Sequence, residues 1–410
     1  MSTVANSPAL FGNARAARAP SIPWTVWTGV AAVTCSTVGG VWDVSWHRSI
    51  GRDTFWTPAH MLIYLCAVLA GIVGLTLVLK CTFGRDPELR AASVGILGLR
   101  APLGVFLAGW GGLAMLTSAP FDNWWHSAYG LDVKIVSPPH TLLILGIRGV
   151  AAGMIFLILA AMNRAAGAGA PSLDSETWVH ANETNGPLFH KLQILFLYLG
   201  GLTVGGQMFF LMEYTWDILL HQALAYIAMG IALPVLFAAF WQASRFRWAA
   251  TATASVYTLM TIAEILILPI FPAQPKLGPV FFPVTHLVPA KFPVLILLPA
   301  LALDLLWQRT RAWKSWQVAL ASGAVFIAVL TAVEWPFAKF LMSHLSQNRF
   351  FGTGYFDYNS RPDRPDRMRV FFDPDHGAVL YLGLLRAALY ASISTWIGLV
   401  FGRWMRGVQR

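Results

Sequence analysis

Apolar runs close to the length of a bilayer crossing recur along the chain, at roughly 24–45, 58–80, 92–118, 139–162, 189–212, 222–243, 248–270, 287–308, 316–342 and 377–402. About 20 apolar residues cross the hydrocarbon core as a helix. The expected fold is therefore an all-α polytopic membrane protein, with about ten transmembrane helices arranged in five hairpins. Charge content agrees: 12% of residues are charged, about half the ~25% of soluble domains. The net charge of +10 then reads as basic loops beside a membrane, and nucleic acid is not expected as a partner.

The links divide the chain. Residues 1–23 are polar, Ala-rich and basic, with no short apolar core ending in a cleavage site, and read as a cytoplasmic tail. Residues 24–162 form a four-helix unit, 163–188 a polar Gly/Ala-rich linker, and 189–410 a six-helix unit. The link 343–376 is long and aromatic, as expected of a cap over one face. Arg85, Arg90, Arg245, Arg247, Arg309, Arg311 and Lys314 fall on alternate short links. That bias predicts that both termini face inward, in a bacterial-type inner membrane. Arg148 and Arg386 lie deep in apolar runs, where carboxylate or carbonyl partners are expected. Cys35, Cys66 and Cys81 form no CxxC pair, so no disulfide framework is indicated.

This orientation gathers histidines and acids on the outer side. The segment "WDVSWHRSIGRDTFWTPAH" joins the first two runs and "FDNWWHSAYGLDVKIVSPPH" the third and fourth. They are an internal repeat. Asp43, Trp46, His47, Gly51, Asp53, Pro58 and His60 align with Asp122, Trp125, His126, Gly130, Asp132, Pro138 or Pro139, and His140. Asp and His four residues apart project from one helix face, one turn apart, and can chelate one ion. Gly51 permits a turn, Pro58 suits the first turn of the next helix, and His60 can return a third ligand. One carboxylate with two imidazoles suits copper, zinc, iron or nickel better than magnesium or calcium. The candidate metal ligands are thus Asp43, His47, His60, Asp122, His126 and His140. Asp53 and Asp132 are candidate second-rank partners that hold the imidazoles, or helix N-caps.

The first segment resembles the metal-binding segment of the C subunit of copper membrane monooxygenases, the particulate methane and ammonia monooxygenases. That family carries Asp-x3-His-x12-His, matched by Asp43, His47 and His60 with Arg52-Asp53-Thr54 and Pro58-Ala59-His60 between and around them. Its second cluster, Asn-x3-His-x13-His, is matched in spacing by Asp122, His126 and His140, with Asp in place of Asn. The resemblance covers roughly residues 24–162. It implies two neighbouring copper sites: one from Asp43, His47 and His60, the other from residue 122 and His126 with His60 shared and His140 close by. The cofactor it implies is copper, one or two ions, with zinc or iron as alternatives. It also implies O2 and a small apolar substrate as reactants, and a cupredoxin-like or other membrane subunit, or further copies of the chain, as partners. Asp122 adds a negative charge where the family has none, which bears on activity more than on metal binding.

The C-terminal half offers weaker candidates. Glu213, Asp217 and His221 stand at i, i+4 and i+8, which on a helix would share one face. They are either an additional metal site or a buried polar stitch. Glu264 with His286, and Glu334 with His376, are sparser pairs. Three function classes follow: a copper-dependent membrane monooxygenase or related oxidoreductase; a non-catalytic protein for copper capture, storage or transfer at the outer face; and a haem-b electron carrier. Scattered methionines without a Met-x3-Met or Cys pair argue against a Cu(I) transport path. Clustering of histidines at helix ends beside Asp favours a small ion over haem.

Overall fold

The computed structural model describes residues 22–51, 54, 56–130, 137–166, 186–363 and 371–410. The chain runs through α1 (Trp24–Ser49), α2 (Pro58–Phe83), a short α3 (Pro87–Ala91), strands β1 (Val94–Ile96) and β2 (Leu99–Ala101), α4 (Leu103–Tyr129) and α5 (Pro138–Ala165). It continues through α6 (Pro187–Phe210), α7 (Ala223–Ala232), α8 (Pro234–Ser244), α9 (Ala249–Ile267), α10 (Leu297–Arg309), α11 (Ser315–Leu341) and α12 (Gly377–Met405). Among the described residues, eight helices are long and apolar enough to cross a membrane, α7 and α8 counting together as the span Ala223–Ser244. The protein is an all-α polytopic membrane protein.

Two of the expected ten crossings differ. The run 24–45 forms the 26-residue helix α1, which is long enough but falls outside the eight, because Thr, Ser, Gly, Asp and His are mixed into its apolar residues. The run 287–308 is helical only from Leu297 to Arg309. Pro289 and Pro293 remove helical N–H donors and bias the residues before them toward extended backbone. The helix expected from 92 begins at Leu103, because residues 94–101 form a two-stranded antiparallel hairpin. Its turn places Leu97 and Gly98 at φ 51° and 81°, the paired positive φ of a type I′ turn.

Small residues let the first unit pack closely. A Cβ on Gly104, Gly111, Gly146 or Gly153 would run into backbone of the facing helix, α5 against α4. The core around these helices includes Met115, Val150, Met154, Phe189 and Phe196, and reaches Phe240 and Met405 of the C-terminal half. A second core, with Tyr226, Phe237, Trp307 and Phe326, joins α6 through α12. Pro234 separates α7 from α8, and Ser394 of α12 fills the gap. Its Oγ donates to Ile231 O at 2.7 Å and accepts from Val235 N at 2.9 Å. Arg148 finds the carbonyl its depth requires: Nη1 donates to Thr203 O at 3.2 Å, with the guanidinium over the Phe210 ring.

Candidate metal centres

The same local construction occurs twice. Asp43 and His47 lie in the last turns of α1, Asp122 and His126 in the last turns of α4. Each helix is followed by a glycine at positive φ, Gly51 at 78° and Gly130 at 86°, a conformation that costs a side-chain-bearing residue strain. The chain returns through a helix opened by proline at its first position. Thr57 caps α2 and accepts from His60 N at 3.3 Å; Ser137 caps α5 and accepts from His140 N at 3.4 Å. In both repeats the capped residue is therefore the returning histidine. The cap fixes the turn that presents the ring.

The three donors of each set converge. One ligand atom from each of Asp43, His47 and His60 lies within 4.8 Å of the others, and the same holds for Asp122, His126 and His140. Asp43 Oδ1 stands 3.1 Å from His60 Nε2, and Oδ2 3.8 Å from His47 Nε2. Asp122 Oδ2 stands 3.4 Å from His126 Nε2, and Oδ1 3.6 Å from His140 Nε2. Each carboxylate bridges two imidazoles.

The second ring nitrogen sets the chemistry. His60 Nδ1 lies 3.2 Å from Thr54 O, and His126 Nδ1 lies 3.1 Å from Gly130 O. A carbonyl oxygen only accepts, so Nδ1 carries a proton, and in its neutral form the ring presents a lone pair at Nε2. The facing carboxylate also only accepts. Among the described residues, Asp43 Oδ1 and Asp122 Oδ1 are shut from solvent without a hydrogen-bond donor other than the facing histidines. Acceptors that face each other at this range repel unless a proton on the imidazole or a metal ion lies between them. A metal ion with N and O ligands meets that requirement, and the donor set suits copper or zinc.

An open apolar groove of about 600 Å³ is lined by Trp56, just before α2, Met61 and Tyr64 of α2, and Leu116, Ala119, Pro120 and Asn123 of α4. Tyr64 sets its ring edge-on to His60, centroids 6.3 Å apart, and Asn123 follows Asp122 in the chain. His47 is the most exposed of the six donors, with 46% of its side chain accessible.

Several expectations change. The second triad is closed by His140, whereas His60 groups with Asp43 and His47; the cap at Ser137 brings His140 in directly. Asp53 and Asp132 lie outside the described residues. Glu213, Asp217 and His221 do not share a helix face, because the chain from 211 to 222 breaks into two short 3-10 turns, Met212–Tyr214 and Leu219–His221. They form no three-donor group. His221 is buried between Trp335 and Phe372, with Nδ1 3.0 Å from Asp217 O, and burial pushes its pKa down. Through Nδ1 it makes the buried polar stitch of the alternative reading. Glu334 is likewise committed, accepting from Leu295 N at 2.8 Å, and His376 stands at the N-cap of α12. The carbonyls of Thr54 and Gly130 and the apolar groove have no signature in the sequence. The caps were visible there, as Ser or Thr, then Pro, then His two residues later.

No family model, curated protein or solved structure matches the chain.

Proposed function

We propose that the protein is a copper-binding membrane oxidoreductase, with one ion held by Asp43, His47 and His60 and one by Asp122, His126 and His140. Support comes chiefly from one observation: each carboxylate faces two imidazole Nε2 atoms, and the carbonyls at Nδ1 of His60 and His126 leave the Nε2 of those two rings, when neutral, as lone pairs that face Asp43 Oδ1 and Asp122 Oδ2. Bound copper would supply one-electron chemistry and reaction with O2. The chain's own residues do the rest. Thr57 and Ser137 orient the returning histidines, the two backbone carbonyls fix the tautomer, and the groove admits a small apolar substrate from the lipid beside both triads. The reaction class is monooxygenation or a related oxidation. The basic residues on the opposite links support an outward, periplasmic triad face in a bacterial-type inner membrane. Catalysis also needs an electron donor, for which a cupredoxin-like or other membrane subunit is the natural source, and further copies of the chain are a second class of partner.

The exposure of His47 favours a second reading: capture or transfer of copper at the outer face without catalysis. Purified protein in nanodiscs, loaded with Cu(II) and desalted, tests the common part. Two ions per chain are expected, falling to none in the double variant Asp43→Ala/Asp122→Ala. Equal copper content in the variant and the parent sinks the assignment. Substrate-dependent O2 uptake separates oxidation from capture, and a Soret band would point to haem b instead.

A further inference from the structure

The two triads repeat in sequence, but their surroundings do not. The last turn of α1 is gripped by loops of the C-terminal unit, residues 271–296 and 343–360. Arg48 Nε donates to Asp357 Oδ1 at 2.5 Å and Nη1 to Pro289 O at 2.5 Å. Ser49 Oγ accepts from Val288 N at 2.7 Å. Lys276 N donates to Ile50 O at 2.9 Å, and Tyr358 N to Arg48 O at 3.0 Å. A small apolar cluster backs these bonds: Ile50, Leu268, Ala273 and Leu287 are buried together, with Trp42 and Trp46 packed against them. Trp42 and Trp46 flank Asp43 and His47 on the same helix.

Among the described residues, the aligned positions on α4 lack this arrangement. Arg48 aligns with Ser127, whose Oγ donates within its own helix to Asn123 O at 2.8 Å. Ser49 aligns with Ala128, which has no hydroxyl to offer. A Cβ on Gly51 would strike the Tyr358 ring, whereas a Cβ on Gly130 would meet nothing within 4 Å among the described residues.

We propose that these loops are the positioning scaffold of the first metal site: Asp357, Tyr358 and the backbone at 288–289 hold the last turn of α1 where Asp43 and His47 meet His60. Asp357 is a positioning residue that acts through Arg48. The inference rests on the triads being metal sites. It ties the C-terminal unit to one site and leaves the other independent of it. Supporting groups of this kind typically carry 10- to 100-fold of metal affinity.

The test uses the full chain in nanodiscs, with Asp357→Ala and Asp357→Glu made in the parent and in an Asp122→Ala background that isolates the first site. Cu(II) affinity is read by chelator competition, and ligand geometry by electron paramagnetic resonance. Asp357→Ala should weaken the first site by about 10- to 100-fold and broaden its signal. The second site, read in a His60→Ala background, should stay within twofold, and Asp357→Glu should restore most of the loss. A metal-free readout accompanies this: amide exchange at 46–50 should rise in Asp357→Ala while that at 126–130 does not. Unchanged first-site affinity in a chain that binds copper overturns the inference, as does equal weakening of both sites. If exchange responds as stated but the parent holds no copper, the scaffold stands and the metal assignment fails.

Discussion

Replacing Asp43 by Asn keeps the shape of the side chain and changes only its charge and donor capacity, and the structure gives the two effects opposite signs. Without metal and with His60 neutral, Asp43 Oδ1 sits 3.1 Å from His60 Nε2 as one acceptor facing another. An amide N–H placed there donates to that lone pair. A neutral hydrogen bond contributes about 0.5–1.5 kcal/mol net, so the metal-free protein should become slightly more stable. With metal, a unit of negative charge is lost beside the ion. Unit charges about 4 Å apart interact by about 4 kcal/mol at an effective dielectric near 20. Asp43 is about one-fifth exposed, and solvent screening reduces that figure. A loss of about 1.4–2.8 kcal/mol is reasonable, a 10- to 100-fold weaker first site. Thermal unfolding with chelator present at about pH 8, where free imidazole is neutral, reads the first effect. Chelator competition with Cu(II) reads the second. A variant that is less stable without metal by more than about 1 kcal/mol, yet binds copper as before, would mean that the triad is a structural ion pair, and the lone-pair reasoning would be refuted.

His60→Ala should abolish the first site and spare the second, and His126→Ala should do the reverse; copper content and electron paramagnetic resonance decide, and loss of both sites from His60→Ala would revive a shared ligand. Asp122→Asn, which installs the residue of the resembled family, should weaken only the second site, so an unchanged second-site affinity would remove residue 122 from the ligands. Gly146→Val should wedge α4 from α5, since a Cβ there would meet Gly111 O at 2.7 Å and Met115 N at 2.8 Å. Overpacking costs about 1–3 kcal/mol, so second-site copper should fall while the first site holds; Gly71→Ala, which meets nothing within 4 Å, serves as the neutral control. For orientation, a membrane-impermeant thiol reagent on intact cells should label Tyr129→Cys and spare Ala312→Cys, and the opposite pattern would turn the triads toward the cytoplasm.

Runs of about 20 apolar residues and the rarity of charge were enough to require membrane-crossing helices, because each such helix satisfies its own backbone and needs no partner. The Asp-to-His spacing of four was equally local: it fixes two donors on one face of a helix, whatever surrounds it. Pro58 after Thr57, and Pro138 after Ser137, set where the next helix opens and so where His60 and His140 stand. Non-local matters had no signature of this kind. Glu213, Asp217 and His221 kept helical spacing, but packing of His221 between Trp335 and Phe372 holds the chain in short turns instead. The assignment of His60 to Asp43, and of His140 to Asp122, depended on which helix ends meet. The grip of Asp357 on Arg48 joins residues 309 positions apart. Local periodicity carries no record of contacts across that distance; they exist only once the helices have packed and the loops have closed over the end of α1.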